Sequence, residues 1–168
     1  MRRRLLVPSL VLITGCAFTL TSCAGADQQG SAAHRMSVWT SGTTLGEDIG
    51  TLIADNARVA KDVPNGSGAV HVACATMLND AEMANSNLPS PDPEVTALLT
   101  KAYNFEGTAA NQCFSAGATN KKLLAASARN GIKAEALYQE VIQRIRQIDG
   151  RTLSTTTTTD NSSGSIFG

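Results

Sequence analysis

CATMLNDAEMANSNLPSPDPEVTALLTKAYNFEGTAANQC, residues 74–113, is a helical pattern broken once by prolines and resumed. Ahead of the break, Val70, Cys74, Met77, Ala81, Ala84 and Leu88 recur at steps of three and four, while Asn79, Asp80 and Glu82 fall off that line. Such spacing puts one apolar stripe on one face of an α-helix. LPSPDP, residues 88–93, ends the helix, because proline lacks the N–H that a helix interior needs. Asp92 then caps a new helix, and Pro93 takes its first position, where a missing N–H costs nothing. Val95, Leu98, Ala102, Phe105, Ala109, Cys113 and Ala116 form the second stripe, and Gly117 stops it. The result is a helix hairpin with one inward cysteine on each arm.

The same period extends in both directions. Over residues 44–63, Leu45, Ile49, Leu52, Asn56, Val59 and Val63 follow a 4-3-4-3-4 spacing. Thr44 and Glu47 have the spacing of a capping box, and Pro64-Asn65-Gly66 ends the segment. Over residues 119–149, Leu123, Ser127, Ala134, Leu137, Val141, Ile145 and Ile148 trace one face, Glu140 and Arg144 make a solvent-side pair, and Gly150 closes the helix. No segment alternates with the period of a strand. Four amphipathic helices with short connections predict an all-α fold: an antiparallel four-helix up-down-up-down bundle over residues 42–150. One joint strains this reading. Counted from the proline turn, Cys113 lies about five residues farther along than Cys74, roughly 7–8 Å at 1.5 Å per residue. The LPSPDP turn, or a late start of the third helix, has to absorb that offset before the two sulfurs meet.

The ends have a different character. Arg2, Arg3 and Arg4 precede the apolar run of residues 5–20, the order of an export signal. Pro8, Ser9, Thr14 and Gly15 interrupt the run, so it makes a poor permanent span. Leu20-Thr21-Ser22-Cys23 resembles the lipobox of bacterial lipoproteins, in which the cysteine thiol receives a diacylglyceryl group and the signal is cut before it. The expected division is a signal over residues 1–22, a lipidated Cys23 with a flexible tether to residue 41, the bundle, and a disordered Thr/Ser-rich tail over residues 151–168. Ile13-Thr14-Gly15-Cys16 is the alternative lipidation site, and a plain secreted protein cut near Ala24 is the third reading. Arg-Arg-Arg-Leu-Leu also resembles a twin-arginine export signal faintly.

Charge and cysteines follow from this division. The chain has 14 basic and 14 acidic residues; without the three arginines of the signal, 11 basic stand against 14 acidic, a net of −3. A mildly acidic domain has no footprint for nucleic acid and no polybasic grip on lipid headgroups, so membrane attachment rests on lipid. Cys16 and Cys23 belong to export, which leaves Cys74 and Cys113 as the pair within the domain. Outside the cytoplasm an even pair reads as a disulfide. It closes a loop of about 40 residues, worth roughly 4 kcal/mol by loop entropy. The rival reading is two unpaired buried thiols. A metal site needs more ligands than His34 and His71 add to the cysteines.

Several residues invite a functional reading, each against a structural one. Gly42, Gly46 and Gly50 stand four apart, which marks either a face where another segment nears the backbone or a fraying first turn, at about 1 kcal/mol per glycine. The structural reading is preferred. Asn56 on an apolar stripe reads as a register-setting buried amide before a pocket contact. Gly107 and Gly131 interrupt helices and read as room for bulky neighbours. His71 and His34 have no signalled partner. Asp80 and Glu82 point apart and read as a solvated face. No nucleophile elbow, phosphate loop, zinc motif or paired-acid motif is present, so neither a cofactor nor an enzyme activity is expected.

The lipobox, the Cys74/Cys113 pair, ACATMLNDAE, LPSPDPEV and AYNFEGTAANQCF together resemble a group of small actinobacterial lipoproteins. The resemblance covers residues 45–148. It implies a helical domain anchored on the outer face of the cell membrane, and it carries no catalytic residue. The functional expectation is a non-enzymatic, lipid-anchored interaction or accessory module of the cell envelope, with an envelope protein as partner. The alternative is a small-molecule or lipid carrier whose apolar ligand lies inside the bundle.

Overall fold

The computed structural model describes residues 30–155, and these are helical, with five α-helices and no strand among them. The helices are α1 (Ala32–Gly42), α2 (Leu45–Asp62), α3 (Ser67–Asn85), α4 (Pro93–Ala116) and α5 (Lys121–Asp149). A single 3-10 turn, Val63–Asn65, links α2 to α3 where Pro64 removes a donor. The Asp92 carboxylate accepts from the Val95 N–H at 2.9 Å, so the proline break restarts the helix as the sequence implies. Gly117 and Gly150, both at positive φ, close α4 and α5.

Cross-helix contacts give the directions. Asp92 meets Arg144 and Ala109 meets Ser127, so α4 and α5 run antiparallel. His71 stacks on Phe114, and Ser67 accepts from the Ala118 N–H, so α3 and α4 do too. Asn87 donates to Asp48 across the α2–α3 hairpin. Cys74 and Cys113 come within disulfide distance, Cα atoms 5.8 Å apart. The α3/α4 register explains how. Continued from these pairs, it carries Asn85 to a point opposite Thr100 or Lys101. The first turns of α4 therefore overhang the end of α3, and residues 86–92 span the difference.

Five expectations change. The tether expected up to residue 41 is a helix from Ala32 on: Ser31 caps it at the His34 N–H, Met36 is buried, and α1 packs on α5. Its Trp39 indole donates to the Asn87 carbonyl at 3.3 Å. The tail expected to be disordered from residue 151 begins with Leu153 packed on the core and the Ser154 carbonyl over Gly46. The Thr44 half of the expected capping box is absent: its hydroxyl donates to Asp48 and makes no cap hydrogen bond to the first turn. Arg144 pairs with Asp92 at 2.9 Å and Glu94 at 3.1 Å, where a pair with Glu140 was expected. On α4, Leu98 and Phe105 are half-buried, while Leu99, Tyr103 and Glu106 are buried. That helix faces α3 and α5 at once, so its buried face is wider than one stripe. Cys16 and Cys23, the signal and residues 156–168 lie outside the described residues.

Candidate functional site

Two apolar clusters make the core. One holds Met36, Leu45, Leu52, Ala81, Leu99, Tyr103, Tyr138 and Ile145; the other surrounds Cys74 and Cys113 with Val59, Val70, Met77 and Ala109. The order along each helix shows what lies between. On α2, Asp55 and Asn56 separate Leu52 from Val59; on α3, Asp80 separates Met77 from Ala81; on α4, Glu106 separates Tyr103 from Ala109. A polar layer thus crosses the molecule at one level.

Asn56 organises it. Its Nδ2 donates to the Leu52 carbonyl at 3.1 Å and to both oxygens of Glu106 at 3.0 Å. The carbonyl partner fixes the amide orientation, since only the nitrogen donates. The Oδ1 therefore lies against Gly131 on α5, where an added Cβ would overlap it. Gly131 is a mid-helix glycine because Asn56 occupies the space of a side chain. Asn56, on the stripe for packing reasons, sits where α2, α4 and α5 meet.

Burial sets the electrostatics. Glu106 is 0% exposed, and its carboxyl is pushed up to about 7. Desolvation is the main cause, the Asn56 hydrogen bond opposes it, and Asp55 adds to it. Asp55 is likewise raised to about 7, by burial first and then by the hydrogen bond and charge of Asp80 on α3, with Arg58 opposing. Asp80 thus turns toward Asp55; the solvated face expected of it is left to exposed Glu82. Desolvation raises Tyr138 and Tyr103 well above the phenol range. The Tyr138 hydroxyl approaches Glu106 and Asp55 approaches Asp80, yet Asp55 Oδ2 and the buried hydroxyls of Tyr138 and Tyr103 have no well-aligned hydrogen bond to protein.

Beside the layer, between the C-terminal half of α2 and the N-terminal half of α5, lies an open groove of about 440 Å³. Val59, Ala60, Val63, Leu124, Ala128 and Ile132 form its apolar walls. Asn56, Gly131 and Glu135 form its polar end, and Ser127 lies farther along the wall, between Leu124 and Ala128 on α5. Ile132 is 67% exposed, an apolar side chain in solvent at the groove's lip.

The other candidate residues fall elsewhere. Gly46 is buried under residues 153–154, so a chain segment does approach the backbone there, whereas Gly42 has nothing near it. The reading of these glycines as a fraying turn fails at Gly46 for that reason. Gly107 accommodates Leu78 at ordinary contact. His71 stacks on Phe114 at 4.6 Å, and His34 is exposed on α1. Glu106, Asp55, Tyr103 and Tyr138 escaped the sequence reading. Tyr103, Glu106 and Ala110 stand at steps of three and four, and that spacing was the available signal.

No group of His, Cys, Asp and Glu able to hold a metal occurs among the described residues, and no helix among them is long and apolar enough to cross a membrane. No family model, curated protein or solved structure matches this chain.

Proposed function

We infer that this chain is a non-enzymatic binding module of the cell envelope, exported and held to the outer face of the membrane by lipid on Cys23. Its helices α2 to α5 act as a four-helix up-down-up-down bundle, with α1 laid against α5 as an addition. The likeness of residues 20–23 to a lipobox and the resemblance to actinobacterial lipoproteins support the location. The groove between α2 and α5 is the observation that carries the binding role. Its volume of about 440 Å³ lies in the range of small-molecule sites, roughly 300–1,000 Å³, and its walls are apolar with a few polar groups at one end. A small apolar ligand therefore suits it better than a docked protein. A protein partner is the second reading, favoured by exposed Val72 and Met83, which lie about three turns apart on one outer face of α3.

Titration with Nile red tests the groove. Fluorescence is expected to rise with the wild type and to be lost in Ala60→Phe, which fills the groove from an exposed position and leaves the helical circular dichroism unchanged. Equal binding by the two proteins would place the dye elsewhere and remove the support for this reading. Crosslinking and pull-down from the native envelope distinguishes ligand from protein partner.

A further inference from the structure

The polar end of the groove has spent its donors. Each hydrogen of the Asn56 amide already has a use, one on the Leu52 carbonyl and one shared between the oxygens of Glu106. Farther along the wall, the Ser127 hydroxyl donates to the Ala109 carbonyl at 2.8 Å. What these side chains present to the groove is acceptor capacity: Asn56 Oδ1, the Ser127 oxygen and the Glu135 carboxylate. No lysine or arginine is among the lining residues. Two of the neighbouring cations are engaged elsewhere: Arg58 lies 3.8 Å from Asp62, and the Lys133 ammonium sits over the Phe105 ring at 5.2 Å. Behind Asn56, Glu106 is fully buried and has no Lys, Arg or His nitrogen within ion-pair distance among the described residues.

A ligand matched to this end brings donors and positive charge, and the walls ask for an apolar body. Resting on the reading of the groove as a binding site, we propose that it takes an apolar primary amine as its ammonium. The nitrogen sits between Asn56 Oδ1 and Glu135, which flank Gly131, and the chain lies between Val59, Val63 and Leu124. An ammonium offers three donors and no acceptor, so it satisfies both acceptors without competing for a hydrogen. A carboxylate of the same length meets only lone pairs and like charge.

The test uses the exported chain carrying Cys16→Ala and Cys23→Ala, which has no lipid to compete for the groove. Octylammonium, octanol and octanoate are titrated separately while amide NMR follows Gly131, Ser127 and the Asn56 side chain. Octylammonium is expected to bind most tightly and to shift these three groups. Glu135→Gln is expected to weaken the amine roughly two- to fivefold, the effect of losing one exposed charge pair, and to leave octanol unchanged. Octanoate or octanol binding as tightly as the amine, or an amine affinity unmoved by Glu135→Gln, overturns the amine assignment and leaves the groove standing. No shift at these groups with any of the three probes overturns the groove itself.

Discussion

Gly131 shows how one residue records another. Alanine is about 1 kcal/mol better than glycine inside a helix, so an unexplained mid-helix glycine invites replacement. Here a Cβ would run into the Asn56 amide that holds Glu106. Gly131→Ala is expected to destabilise the fold by about 1–3 kcal/mol, the cost of overpacking a fitted core. Gly42→Ala, with nothing near its Cβ, is neutral or stabilising by less than about 1 kcal/mol. Urea unfolding of the two variants compares them directly. Glu106 makes a second prediction, with a definite sign. Its folded pKa of about 7 lies above the ordinary 4.5, so the folded chain holds a proton that the unfolded chain releases. The Glu106 contribution to stability is then greatest below pH 4.5, falls as pH rises to about 7 and levels off above it. The loss amounts to about 2–4 kcal/mol, and Asp55 adds to it in the same direction. Glu106→Gln removes that share of the pH dependence; an unchanged stability–pH curve in the variant would contradict the assignment.

At the scale of elements, the helices of the hairpin were legible because proline and aspartate punctuate them. Asp92 caps α4 and also receives Arg144 from α5, so one carboxylate starts a helix and fixes its neighbour. Arg144 is the larger cause of the lowered Asp92 pKa. Asp92→Ala is expected to cost about 0.5–2 kcal/mol from the cap alone. Because the folded pKa lies below the unfolded one, the Asp92 contribution is present at neutral pH and disappears as pH falls through the folded value. Thermal unfolding of the variant at neutral and acidic pH measures both. Where the sequence misled, a third element intervened. Polar Ala32–Gly42 has little apolar pattern of its own and is held by Met36 and Trp39 packing on the rest of the molecule. Leu153 and Ser154 likewise follow a helix stop and become ordered only against the core and Gly46. The α4 stripe was misread by one position at Leu98 and Phe105 because its second neighbour, α5, is invisible to a single-stripe reading. The polar layer was half legible. Asn56 stood out, but Glu106 and Asp55 look like surface acids until the helices that bury them are in place.

For the whole molecule, Cys74 of α3 and Cys113 of α4 stand within disulfide distance in the cluster on the Cys side of the polar layer. Cysteines 39 apart in sequence close a loop whose entropy is worth roughly 4 kcal/mol, so reduction is expected to lower the urea midpoint markedly. Mass spectrometry without reduction reads the bond itself. The proposed anchor belongs to this scale too. Two acyl chains on Cys23, at about 0.8 kcal/mol per buried CH₂, would supply the membrane attachment in that reading. Palmitate-analogue labelling is expected to be lost in Cys23→Ala and kept in Cys16→Ala; the reverse result moves the anchor. The central claim, that the groove beside the polar layer is a ligand site, is tested most directly by native mass spectrometry of the protein isolated from its native cells. The wild type is expected to carry an added small-molecule mass that Ala60→Phe lacks. A wild type and a filled-groove variant with the same mass, apart from the substitution, would contradict it.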